Sequence, residues 1–170
     1  MRKFKQILKL SQKAEKEQRL TKKQQEKQGK TYIRDNIAGA YYIDNRTYIT
    51  DGFWGVIFAD KIENLQMIPQ NASGLELGNV IPPYLEREKL DIKNFDKFIE
   101  ELTEKAKNKE TEDKYIKIGK SWYNAEYVLN IIKCFDECEI WQETRQQKYN
   151  PLVVISGNDK GLICPIRKDD

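Results

Sequence analysis

The stretch from Lys117 to Arg167 constrains this chain more than any other, because its apolar residues change period twice within one short span. A β-prone run, Tyr115-Ile116-Lys117-Ile118, leads through Gly119 to Ser121-Trp122-Tyr123-Asn124, after which Ala125, Val128, Leu129 and Ile132 recur at helical spacing. Asn124 is the natural N-cap of a helix over 125–134. Three β-prone runs then follow: Glu139-Ile140-Trp141-Gln142, Leu152-Val153-Val154-Ile155 and Gly161-Leu162-Ile163-Cys164. Polar loops and the turn-forming Gly157-Asn158-Asp159-Lys160 separate them. The order strand, helix, three strands predicts an α+β domain of antiparallel sheets with helices packed on one face.

The upstream residues fit the same class. Tyr32-Ile33, Tyr41-Tyr42-Ile43, Thr47-Tyr48-Ile49-Thr50 and Phe53-Trp54-Gly55-Val56-Ile57-Phe58 read as an antiparallel meander, with Asp44-Asn45-Arg46 and Asp51-Gly52 as turns. Between Asp60 and Glu88, Pro69, Gly74, Gly78 and Pro82-Pro83 punctuate short runs read as edge strands and loops. Leu90-Asp91-Ile92-Lys93 reads as a further strand. It enters Asn94, from which Phe95, Phe98, Ile99, Leu102 and Ala106 mark the buried stripe of a helix to about Lys107. This segment and the one around Asn124 share a plan of strand, Asn and helix, which suits a fold of two similar halves. Val128, Leu129, Ile132, Phe98 and Leu102 are expected in the core.

Charge divides the chain differently. Residues 1–30 hold eleven Lys or Arg against three Glu, while 31–170 carry 19 basic and 24 acidic groups. We therefore read 1–30 as a basic arm on an acidic body at 31–170. Phe4, Ile7, Leu8 and Leu10 make the arm helical to at least Lys13, whereas beyond Ala14 only Leu20 is strongly apolar. Arg2, Lys3, Lys5, Lys9, Lys13, Lys16, Arg19, Lys22, Lys23 and Lys27 are its candidate nucleic-acid contacts. Deleting 1–28 is expected to abolish such binding and leave the body folded.

Absences narrow the chemistry. With no His among 170 residues, imidazole bases, His ligands and His-dependent triads are impossible. No phosphate-binding glycine loop follows a predicted strand, so no enzymatic activity is expected. Cys134 and Cys138 would place two thiols on one helical face, but only Cys164 remains as a third ligand, so no metal or other cofactor is expected. Asp35, Asp44, Asp51 and Asp60 lie near turns, where Asp serves the backbone. Three unframed cysteines and the lack of a long apolar run predict a soluble, cytoplasmic protein without a membrane partner.

Three strings in the constraining stretch go further: WYNAEYVLNIIKCF (122–135), PLVVI (151–155) and GLICPIR (161–167). They resemble the closing half of a DNA sliding clamp domain of the bacterial polymerase β-subunit type. Thr50-Asp51-Gly52-Phe53 is similar to the Thr-Asp-Gly turn of such a domain's first half. The resemblance implies a DNA-clamp-like fold, a non-enzymatic role near DNA replication, and a partner-binding region bordered by Pro165, Ile166 and Arg167. Family rings total six domains and this chain supplies about one. Its helix at 95–107 mixes Asp96, Glu100, Glu101 and Glu104 with Lys97, Lys105 and Lys107. A monomer or dimer, with the arm covering one sheet edge, is therefore favoured over a ring. The alternative is a protein-interaction module, such as an accessory protein of a phage or mobile element, that keeps the clamp fold without encircling DNA.

Overall fold

The computed structural model describes residues 2–27, 38–65 and 80–168, with the side chains of 18–25 left aside. The expected strand at Tyr32-Ile33, Asp35, and most of the punctuated segment after Asp60 lie outside the described residues.

Two helix-plus-meander units make the fold. Helix α1 (Phe4–Lys27) precedes β1 (Gly39–Ile43), β2 (Arg46–Thr50) and β3 (Trp54–Phe58). A short strand, β4 (Arg87–Lys89), leads to α2 (Phe95–Ala106) and the hairpin β5 (Tyr115–Ile118) and β6 (Ser121–Asn124). Helix α3 (Ala125–Ile132) then precedes β7 (Glu139–Glu143), β8 (Leu152–Ser156) and β9 (Asp159–Ile163). Both meanders are antiparallel, and their last strands pair antiparallel with each other, Val56 opposite Gly161. One seven-stranded sheet results, in the order β1-β2-β3-β9-β8-β7-β4. The α+β class, with antiparallel sheets and helices, is as the sequence predicts.

The two similar halves are not the ones the sequence suggested. The shared strand-Asn-helix plan matched α2 with α3, and both Asn residues do cap: Asn94 Oδ1 accepts from Lys97 N at 3.0 Å and Asn124 Oδ1 from Glu126 N at 3.0 Å. Yet it is α1 that stands before a meander as α3 does, while α2 packs against α3. An N-cap signal reports only that a helix begins, not which layer it joins. Three further details differ. Ser121–Asn124 is a strand rather than a lead-in, and strand β4 lies at Arg87–Lys89 rather than at 90–93. Leu90 N still donates to Ile140 O at 2.8 Å, after which the chain leaves the ladder for the Asn94 cap. Phe98 is only half-buried, because α2 turns one narrow stripe inward around Leu102.

Side-chain alternation gives the sheet two distinct faces. Ala40, Ile49, Val56, Gly161, Val154 and Ile140 are successive partners across six strands and form the floor of the main core. Ile7, Leu10 and Ala14 of α1 and Val128, Leu129, Ile131 and Ile132 of α3 close over it. Thus α1 lies across a face, packed on β1 and β2, and does not cap an edge as expected. Tyr41, Tyr48 and Ile57 occupy the opposite face, the two tyrosine rings stacked 5.4 Å apart. At the β4 edge the exposed backbone belongs to Arg87, Glu88 and Lys89, a short charged strand of the kind that resists pairing with another sheet.

Gly161 sets the closeness of this packing. A Cβ there would come within 2.5 Å of Ile131 Cγ2, so α3 seats directly on the β9 backbone. Gly161→Ala should therefore lower stability by about 1–3 kcal/mol, the usual cost of overpacking, visible as a reduced urea midpoint with unchanged m. An unchanged midpoint would show that α3 lifts off without cost. Light scattering on the full chain should give the mass of one or two copies, and a mass near six would overturn that expectation.

Candidate interaction surfaces

Helix α1 carries two opposed faces. Ile7, Leu10, Ser11 and Ala14 are buried at the i, i+3, i+4, i+7 spacing of one helical stripe. Lys5, Lys9 and Lys16 fall on the opposite side of the wheel and are exposed, as is Lys27 near the helix end. Arg19, Lys22 and Lys23 lie within the helix, but their side chains are outside the described residues.

The remaining basic residues expected to face nucleic acid are occupied by the fold. Arg2 holds Asp159 with two hydrogen bonds, Nε to Oδ2 at 2.7 Å and Nη2 to Oδ1 at 2.8 Å, and donates through Nη1 to Asp60 at 2.9 Å. Those carboxylates, Asp159 foremost, hold the guanidinium pKa above its ordinary value against the opposing effect of burial. Lys3 pairs with Asp136 at 3.7 Å and Lys13 with Glu126 at 2.5 Å. These contacts and the buried Ile7, Leu10 and Ala14 tie the first half of α1 to the body. Deleting 1–28 would therefore open the core rather than trim an arm, so substitutions are the proper probe of its charge.

The tail brings two segments distant in sequence together. Cys164 N donates to Phe53 O at 2.9 Å, which places the tail beside the Thr50-Asp51-Gly52-Phe53 turn. Ile166 N donates to Trp122 O at 2.9 Å, so the tail also lies along β6. Pro165 and Ile166 are half-buried, Arg167 is exposed, and Phe53 at the turn's tip is 64% exposed. Sequence reasoning named the tail but not Phe53 as part of the same surface, since 111 positions separate Phe53 from Cys164. Lys168 closes the far side, its Nζ 4.1 Å from the Trp122 ring centroid.

A buried polar network fixes the hairpin under this tail. Gln142 Nε2 donates to Ile118 O at 2.8 Å and to Tyr123 Oη at 2.7 Å, and its Oε1 accepts from Lys120 N at 3.0 Å. Tyr123 Oη donates to Asn150 O, and Asn150 N donates to Ser121 Oγ at 2.9 Å. Gly119 at φ +57° completes the turn. Any Cβ there would collide with Gln142 Oε1, so glycine is required twice over.

The chemistry of nucleophiles and ligands is subdued. Burial pushes the Cys134 thiol up to about 12 and Cys138 to about 11, so neither is a thiolate at neutral pH. Among the described residues no three His, Cys, Asp or Glu side chains group as a metal site. No helix of the described residues is long and apolar enough to cross a membrane. Asp44 takes positive φ in the β1–β2 turn and Asp60 serves Arg2. Asp51 Oδ1 accepts from Phe53 N at 2.8 Å and Trp54 N at 3.1 Å.

No protein-family model matches the sequence, and no curated protein matches it either. Among solved structures the chain is similar to the Helicobacter pylori beta clamp bound to a DNA ligase peptide, at 14% identity and a TM-score of 0.42. The match covers 75% of this chain and 42% of that one, so the chain spans about two-fifths of that clamp's length.

Asp51 yields a pH prediction. Its burial, partly offset by the two backbone donors, pushes the carboxyl up to about 6 from 3.8. The folded state then binds the proton more tightly than the unfolded, so stability is greatest below the unfolded value and falls as pH rises through about 6. Asp51→Asn keeps the acceptor without the charge. It should be more stable than wild type at pH 7 by about 1–2 kcal/mol after allowance for solvent screening, the gap closing by pH 4 in paired urea titrations. A pH-independent gap would mean that the carboxylate is not the origin.

Proposed function

We propose that this is a non-enzymatic, DNA-associated protein that contacts the phosphate backbone through the outer face of α1. The carrying observation is the geometry of that helix: Ile7, Leu10 and Ala14 anchor it to the core, and the opposite side presents Lys5, Lys9 and Lys16. A rigid row of lysines along one helix meets a row of phosphates as point charges, without reading bases. By contrast α2, whose exposed side carries Asp96, Glu100 and Glu101 with Lys97, would repel a duplex as much as attract it. The non-enzymatic part of the reading is supported by the missing imidazoles, the protonated thiols and an Asp51 carboxylate committed to its turn. A role near replication rests on the sequence resemblance.

The test is a salt titration of duplex binding by wild type and by the triple variant Lys5→Gln, Lys9→Gln, Lys16→Gln. These exposed side chains leave the core intact. Removing three phosphate contacts should flatten the slope of log K against log salt by about 2–3, with equal loss on unrelated sequences. A slope that does not change would move the contact off α1.

A second reading, a protein-interaction module, is favoured by one observation: Phe53 stands 64% exposed where the tail crosses its turn. Aromatic anchors of that kind carry much of the binding energy at protein interfaces. Peptide display against wild type and Phe53→Ser tests it, since peptides recovered equally by both would sink the reading.

A further inference from the structure

On the sheet face away from α1, the segment after residue 80 arches over the strands and leaves a cleft of about 710 Å³. Three cations converge on it: Arg46 from β2, Lys160 from β9 and Arg87 from β4, with Ile57, Ile81 and Tyr84 as apolar lining. Register explains the placement. Lys160 is the partner of Ile57, which pairs with Tyr48, and Arg46 lies two residues before Tyr48 on the same face.

None of the three cations is in an ion pair among the described residues. Nearby carboxylates are engaged elsewhere: Glu143, opposite Arg87 in the ladder, and Glu86 both pair with Arg145, and Glu139 pairs with Lys89. Arg87 is held in place by its guanidinium carbon 5.5 Å from the Trp141 ring centroid and by Nη1 donating to Pro82 O at 3.2 Å. Its Nε is buried without an acceptor among the described residues. A guanidinium held in place, two further cations and a concave wall make a built receptor for an anion.

We propose that this cleft binds a small ligand carrying adjacent phosphate groups, such as a nucleotide or an inorganic polyphosphate. Its volume is within the range of small-molecule sites, about 300–1,000 Å³, and three spread cations match two or more phosphates better than one carboxylate. Tyr84 packs on Trp141 with ring centroids 5.4 Å apart and is 65% exposed at the rim, so its solvent side can meet a planar group beyond the phosphates. The site faces away from the α1 lysines, so it stands independently of the DNA reading.

Isothermal titration of the full chain with inorganic pyrophosphate, a nucleoside triphosphate without divalent metal, and the bare nucleoside tests this. Pyrophosphate and triphosphate should bind and compete, and the bare nucleoside should not bind. The double variant Arg46→Gln, Lys160→Gln, the first exposed and the second half-buried, should weaken binding at least tenfold, as should Arg87→Gln. The α1 triple variant should bind as wild type does. Tighter binding of the triphosphate than of pyrophosphate supports the contact with Tyr84, and equal binding supports a site filled by phosphates alone. Absence of binding at millimolar concentration, or unchanged affinity in a folded double variant, overturns the proposal. So does a duplex oligonucleotide that displaces pyrophosphate and loses affinity in the double variant, since the cleft would then belong to nucleic acid.

Discussion

The fold depends on one junction, the pairing of β3 with β9. Residues 54–57 meet residues 160–163, so the contact closes a loop of about one hundred positions whose entropy must be offset by what the pairing buries. It does so because the junction sets Val56 beside Gly161, with Val154 of β8 next in the row, and α3 settles onto that row through Ile131 while Trp54 and Phe58 of β3 fill the core on either side. Separate three-stranded meanders would each leave an unpaired strand and half a floor. Joined, they give α1 and α3 a continuous surface to cover.

The second constraint is polar. Burying a glutamine, a tyrosine hydroxyl and an asparagine is costly unless each finds partners, and in this network the donors and acceptors are supplied by the hairpin turn, β7 and the loop before β8. The hairpin β5–β6 belongs to a separate two-stranded sheet, and this network, the tail's bond to Trp122 and the burial of Ile116, Ile118 and Tyr123 in the core together orient it. The tail surface is thus held from beneath by Gln142 and from the side by the Thr50-Asp51-Gly52-Phe53 turn.

Charge on α1 is divided by the same logic. Cations at its start and flank, Arg2, Lys3 and Lys13, meet carboxylates of the body and help fix the helix, while those on the far side stay at the surface. A helix that docks by only three or four apolar side chains in its first half gains from such ion pairs, though each exposed one contributes little by itself. The carboxylate of Asp159 is the exception, since it is buried and bound twice by Arg2.

Local signals were legible in the sequence wherever a residue answers to its neighbours. Asn94 and Asn124 announced their helices, Asp51-Gly52 and Asp44-Asn45 their turns, and the runs after Glu139 their three strands, because capping, positive φ and alternation are settled within a few residues. The core positions Val128, Leu129, Ile132 and Leu102 followed from helical period alone. What the sequence could not decide was which elements become partners. That α1 rather than α2 answers to α3, that Arg2 turns to Asp159, that Phe53 lies beside Cys164, and that Arg46, Arg87 and Lys160 converge on one cleft are all consequences of pairing β3 with β9 and folding residues 80–89 back over the sheet. A charge or an aromatic ring reads the same in sequence whether it meets solvent, a carboxylate or a distant turn, and only the tertiary contacts, made between residues far apart in the chain, assign it.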